Sequence, residues 1–204
     1  MNEQIRQIIL LAVPVLFSIT VHEVCHGYAA YCFGDPTAKL AGRLTLNPIK
    51  HIDIVGLLVL FVTRMIGWAK PVPVNPRNFK NPRKDMMWVS LAGPASNLGL
   101  AVIFALVFRL TEPFFHSPIF YPLGDMLQIM VMINVGLAIF NLIPIPPLDG
   151  GHILQGLLPE DMAYAWARIE PYGFIILLVL IFSGVIRIIL FPIIMAIIKI
   201  LLTI

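Results

Sequence analysis

Apolar residues fall into five long stretches separated by short polar loops. The first, Ile5 to Phe33, is long enough to span a bilayer despite a polar insertion at residues 22–26, and it ends at Gly34-Asp35-Pro36, a strong helix stop. The second, Ile52 to Trp68, has 17 residues and sits at the lower limit for a spanning helix. Next comes AKPVPVNPRNFKNPRKD, where Pro71, Pro73, Pro76 and Pro82 exclude helix and central strand and predict an edge strand or extended loop. The third stretch, Met86 to Leu110, and the fourth, Met126 to Pro147, read as clear spans. The fifth, Tyr172 to Ile204, contains Arg187 and Pro192 and reads either as one span with an interfacial tail or as two short ones.

Composition changes the picture from buried helices to a membrane protein. The chain is 59% hydrophobic and 12% charged, about half the roughly 25% charge of a soluble domain. Such a chain cannot cover itself with polar surface in water, so lipid is its solvent. The expectation is an all-α polytopic membrane protein, a bundle of about four to six transmembrane helices. It forms one unit over 1–204, with no long polar stretch, linker or repeat to mark a second module. The opening MNEQIRQ has one basic residue beside one acid and no small-residue cleavage site after it, which argues against a cleaved signal peptide.

A net charge of +3 is not a nucleic-acid signature, and its distribution is informative. Ten of the fourteen basic residues lie between Lys39 and Arg109, eight of them in loops 39–51 and 70–84. Basic loops face the cytoplasm. With both loops on that side, the segment between them must dip in and return. The first helix then runs inward, the third outward and the fourth back in. Loop 111–125, with Glu112 and Asp125 but no Lys or Arg, is outside. Cys25 and Cys32 are about 10 Å apart along a helix, beyond the ~7 Å reach of a disulfide, and read as small buried hydrophobes.

The chemistry is concentrated in His22-Glu23-Val24-Cys25-His26. Residues four apart share a helix face, so His22 and His26 can aim ring nitrogens at one point, as zinc requires. Glu23, one residue round, is placed to take a proton from a metal-bound water and pass it to a leaving amine. Ionisable side chains inside an apolar span are costly, which favours function over accident. A catalytic zinc needs a third protein ligand. His51 and His116 lie in loops, His116 on the outer side, and Cys25 projects about 100° from His26 on a helix. Asp149, in NLIPIPPLDGGH, follows the fourth span at its cytoplasmic end. His26 and His22 lie about 10 and 16 Å below the end of the first helix, and Pro144, Pro146 and Pro147 would unwind the fourth segment before it reaches the surface. Irregular backbone at such depth lines protein or a water-filled cavity.

HEVCH in a membrane helix, LAGPASN opening a later helix and NLIPIPPLDGG resemble the site-2 protease family of intramembrane zinc metalloproteases, peptidase family M50, over about residues 10 to 160. GWAKPVPV is similar to a β-like or re-entrant loop that one branch places near the active site. The chain resembles a minimal member without PDZ-like or CBS-like modules. The resemblance implies His22, His26 and Asp149 as ligands of one Zn²⁺ per chain and Glu23 as catalytic base. It places Asn141 near the active site, where its amide would either hold the oxyanion or pack as a buried group. Asn97 reads as packing, with an amide in reach of the ligands, and His152 as a loop or supporting residue.

The implied reaction is hydrolysis of a peptide bond in or near a transmembrane segment of a membrane-protein substrate, in the plasma (inner) membrane of a prokaryote, with the site opening to the cytoplasm. The family's substrates are typically trimmed first by another protease and then release a cytoplasmic fragment. Loop 70–78 is a candidate edge for pairing with extended substrate, against which its prolines leave few N–H donors. The alternatives are a non-hydrolytic membrane zinc-binding or transport protein, for which Glu23 is superfluous, and a membrane metalloprotease acting on substrates outside the bilayer.

Overall fold

The computed structural model describes residues 3–56, 58, 68–115, 117 and 120–203, with side chains from residue 10 onward. His116 and most of segment 52–68 lie outside the described residues. The fold is all-α, with eight helices among those residues: α1 (Glu3–Cys32), α2 (Thr37–Leu40), α3 (Pro82–Thr111), α4 (Tyr121–Asn141), α5 (Asp149–Leu157), α6 (Glu160–Ala167), α7 (Glu170–Phe182) and α8 (Val185–Thr203). Four stretches are long and apolar enough to cross a membrane: residues 10–32 of α1, α3, α4 and α8. A fifth is possible if α6 and α7, bent by 68° at their junction, count as one span.

α1 stops where the sequence says it should. Asp35 N bonds Ala30 O at 2.9 Å and Gly34 N bonds Tyr31 O at 3.1 Å, a Schellman closure around Gly34 at φ +102°. Asp35, fully buried, then accepts from Asn75 N (2.7 Å) and Asn78 Nδ2 (2.6 Å). Asn78 lies just before Pro82, so the end of α1 and the start of α3 share one face of the bundle. α3 starts earlier than expected, inside the proline-rich stretch. Pro82 occupies the first helical position, where its missing N–H costs nothing, Asn81 caps Lys84 N at 3.3 Å, and Asp85 accepts from Asn81 N at 2.9 Å. Proline reads there as a starter rather than a breaker.

The ends of the second apolar stretch adjoin. Ile52 and Ala69 form an antiparallel bridge, Lys70 N donates to His51 O at 2.9 Å, and Arg43 Nη2 donates to Lys70 O at 2.7 Å. The chain therefore leaves this region and re-enters it at one place, with both ends of the segment side by side.

The helices pack through small residues and present large ones outward. Ala101 and Ala105 of α3, Val131 and Val135 of α4, and Ile198 of α8 form a buried cluster, while Ile103, Leu106 and Leu110 are exposed. That inside-out pattern suits lipid, where close backbone approach replaces the hydrophobic drive. The fifth apolar stretch is two helices, broken at Gly184 (φ +77°) rather than at Arg187 or Pro192, both of which lie within α8. Cys25 and Cys32 are free, and Cys32 is exposed rather than buried. It ends α1 on an outer face, where lipid or the interface accepts a small thiol as readily as a core would.

Candidate metal centre

His22 and His26 lie one turn apart on α1 and face the bundle interior. His26 Nδ1 is 2.7 Å from Val89 O. A carbonyl only accepts, so this ring carries its proton on Nδ1 and, when neutral, a lone pair on Nε2. His22 Nδ1 lies 2.6 Å from Asn97 Oδ1, an equivalent arrangement with a side-chain acceptor. The two Nε2 atoms converge to 2.9 Å.

Asp149 reaches the same point from the far side of the chain. α4 ends at Asn141, three residues before Pro144, and the turn through Leu142–Leu148 leads into α5, which begins at Asp149. The turn folds hard against that start: a Cβ on Gly150 would lie 2.3 Å from Ile143 O, and one on Gly151 2.7 Å from Pro146 N. Only glycine permits so tight a reversal, and it points the carboxylate back toward α1. Asp149 Oδ2 is 3.2 Å from His22 Nε2, and Oδ1 is 3.3 Å from His26 Nε2. All three ligand atoms lie within 4.8 Å of one another, and among the described residues no other trio of His, Cys, Asp or Glu converges in this way.

Such a set fits a divalent cation. With both Nδ1 atoms committed as donors, the Nε2 atoms and carboxylate oxygens confront one another as lone pairs, a repulsive arrangement without a positive charge among them. Asp149 Oδ2 is buried and has no hydrogen-bond partner, and a buried unpaired acceptor of this kind is costly unless something binds it. Two imidazoles and a carboxylate, each ring oriented through its other nitrogen, is a donor set suited to zinc.

Glu23 projects beside the trio, and its Oε2 accepts from Val72 N at 2.8 Å. It lines a cavity of about 330 Å³ together with the two histidines, Asp149, Val72, Val74, Asn141 and His152. Asn141 Nδ2 spends one hydrogen on Leu137 O, one turn back, at 2.9 Å. Val72 and Val74 place the 70–78 loop over the cavity. Pro71 and Pro73 lack N–H groups and Val72 gives its own to Glu23, so residues 71–73 keep no spare donor for a pairing strand. His51 lies elsewhere: it is buried, with Nε2 at 2.9 Å from Thr45 O.

Two features of the site have little or no local signal in the sequence. Gly93 is one: a Cβ there would lie 2.3 Å from His26 Nε2 and 2.6 Å from His22 Cε1, so α3 passes its bare backbone against the rings. The small residues of LAGPASN hint at close helix approach but not at its purpose. The Val89 carbonyl is the other, since no backbone acceptor announces itself in a sequence.

A family model described as peptidase family M50 matches residues 119–184. The Bacillus subtilis (strain 168) protein YwhC, named as a zinc metalloprotease, is 44% identical over 173 residues, covering 83% of this chain and 78% of that protein. The chain belongs to peptidase family M50. Another member, Rip2 of Mycolicibacterium smegmatis, also named as a zinc metalloprotease, is 34% identical over 179 residues, 86% of this chain and 67% of its own length. A zinc metalloprotease of Methanocaldococcus jannaschii is 26% identical over 156 residues, 76% of this family member but 36% of the archaeal protein. No solved structure matches.

Proposed function

We propose that this chain is a zinc metalloendopeptidase, one membrane-embedded domain over 1–204, that hydrolyses a peptide bond in or near a transmembrane segment of a membrane-protein substrate. The observation that carries the reading is the convergence of His22 Nε2, His26 Nε2 and the Asp149 carboxylate, with both Nδ1 atoms already committed, inside an apolar bundle. Glu23 and Asp149 would each cost about 3 kcal/mol near a bilayer centre, which selection tolerates for function.

In this reading His22, His26 and Asp149 hold the metal. Zinc, when bound, supplies Lewis acidity toward a carbonyl or a water. Glu23 takes the proton of the attacking water and delivers it to the leaving amine; Val72 N–H anchors Oε2 and leaves Oε1 for the transfer. Asn141 has a second amide hydrogen beyond the one given to Leu137, and we assign it to the developing oxyanion.

Water and an unwound substrate need a polar approach. The cavity adjoins a larger cleft of about 720 Å³ that shares Met86 and His152 with it and is lined further out by Arg83, Gln155, Glu160 and Glu170. The cleft opens beside the start of α3, among the basic loops that topology assigns to the cytoplasm. Cleavage there would release a cytoplasmic fragment, as in regulated intramembrane proteolysis, from the inner membrane of a prokaryote.

Glu23→Gln tests the assignment. Membranes of cells carrying wild type or this variant are compared for fragments of membrane proteins, with zinc measured in each purified protein. The expected result is loss of cleavage by about a hundredfold or more, with zinc retained at about one per chain. Fragments persisting at wild-type level in Glu23→Gln would refute the protease assignment.

A further inference from the structure

Behind the histidines lies a buried polar chain that the proposed mechanism does not use. Asn97 Nδ2 bonds Asn134 Oδ1 at 2.8 Å and reaches Ser18 O at 3.3 Å. Asn134 Nδ2 bonds Met130 O and Ser18 Oγ, each at 2.8 Å. Ser18, Asn97 and Asn134 come from α1, α3 and α4, and all three are 0% exposed. Burying two amides and a hydroxyl in an apolar bundle is favourable only if every polar atom is satisfied.

The chain has a direction, and two backbone carbonyls set it, Met130 O on Asn134 at 2.8 Å and, at a longer 3.3 Å, Ser18 O on Asn97. An amide side chain can flip its oxygen and nitrogen, so neither end is self-evident. Met130 O can only accept. The Asn134 atom facing it is therefore the NH₂ group, which turns Oδ1 toward Asn97. Asn97 must meet that oxygen with its own NH₂, which turns its Oδ1 toward His22. His22 Nδ1 must then carry the ring proton, leaving Nε2 as the lone pair that faces Asp149 and His26. A flip of Asn97 alone would set its NH₂ against His22 Nδ1. That arrangement favours the other tautomer, with the proton on Nε2 where the lone pair is needed.

We infer that Asn134, anchored by Met130 O and Ser18, is a positioning residue that, through its shorter bond to Asn97 and beside the longer Ser18 O contact, holds the tautomer and orientation of His22. The inference rests on the reading of His22 as a metal ligand. Asn134 touches neither metal site nor substrate. Its effect is on the readiness of one ligand, and partners of this kind are worth ten- to a hundredfold in metal affinity.

The test uses the full-length protein in detergent, with zinc affinity read by chelator competition. The histidine tautomer is read by nitrogen-15 NMR of the metal-free protein, and the unfolding temperature of that protein reports packing separately. Asn134→Leu keeps the shape and removes the polarity. It is expected to weaken zinc ten- to a hundredfold and to raise the fraction of His22 protonated on Nε2. Asn134→Asp, a neutral carboxylic acid in this apolar setting, still accepts from Asn97 and donates to Met130 O, and is expected to recover zinc affinity to within a few-fold of wild type. If Asn134→Leu does not fold, Asn134→Asp still decides: Asn134→Asp as weak as a ligand mutant overturns the inference. So does Asn134→Leu binding zinc as wild type, or losing affinity with no change of tautomer. A wild-type protein that binds no zinc would instead refute the ligand set itself, and this inference with it.

Discussion

An alanine at position 93 would put its methyl group where the two imidazole rings meet. The added carbon would stand 2.3 Å from His26 Nε2, 2.5 Å from His26 Cε1 and 2.6 Å from His22 Cε1. Relief to an ordinary contact of about 3.4 Å demands a shift of about 1 Å, several times the ~0.2 Å tolerance of metal–ligand distances. The rings cannot yield freely, because each is tied through Nδ1 at 2.6 or 2.7 Å. Giving up two such bonds costs about 2–4 kcal/mol, or roughly thirtyfold to several hundredfold in zinc affinity. Helix propensity acts the other way by about 1 kcal/mol, but on folding rather than on metal binding. The assay is chelator competition on purified Gly93→Ala beside Gly99→Ala. The latter lies on the same helix and its Cβ would meet nothing within 4 Å, so its affinity should match wild type. Gly93→Ala binding zinc within threefold of both would refute the argument that α3 backbone is fitted to the rings.

Removing either proposed ligand should have the same result: His22→Ala and Asp149→Ala are each expected to drop bound zinc well below the roughly one per chain of wild type, read by elemental mass spectrometry. Asp35 gives a pH prediction. Burial pushes its carboxyl up, but hydrogen bonds from Thr37, Asn75 and Asn78 outweigh that and hold it below its ordinary value of 3.8. A depressed folded pKa stabilises above the ordinary value and loses that contribution as pH falls through the lower one. The unfolding temperature should therefore decline as pH drops below about 4, and Asp35→Asn should flatten that decline. An equally steep decline in the variant would mean that other carboxylates carry it.

The sequence discloses whatever is local. His22 and His26 declare a shared face through their spacing, Gly34-Asp35-Pro36 marks the end of α1, and Pro144 with its neighbours marks the end of α4. Proline is two-valued, and that misleads: Pro82 starts a helix because Asn81 caps it and Asp85 closes the box, a three-residue context that a proline count overlooks. The break at Gly184 hides between two equally apolar runs, whereas Arg187 and Pro192 draw the eye and prove tolerable inside α8. Cys32 reads as buried only by the rule for water-soluble cores. Contacts such as His26 to Val89 O or Gly93 to both rings join positions more than sixty residues apart, and no local pattern encodes them. Asn97 is the intermediate case, a visible amide whose partner becomes evident only when α1 and α3 are brought together.

The bridge between Ile52 and Ala69 has a consequence for how this architecture can vary. Because the chain returns to its point of departure, the length of what lies between does not enter the parity of membrane crossings, and α1 and α3 stay antiparallel whatever is inserted there. Closing a loop of twice the length costs only about 0.6 kcal/mol more. Position 52–69 is thus a place where sequence can be gained or lost without re-threading the helices that hold the histidines and the aspartate together.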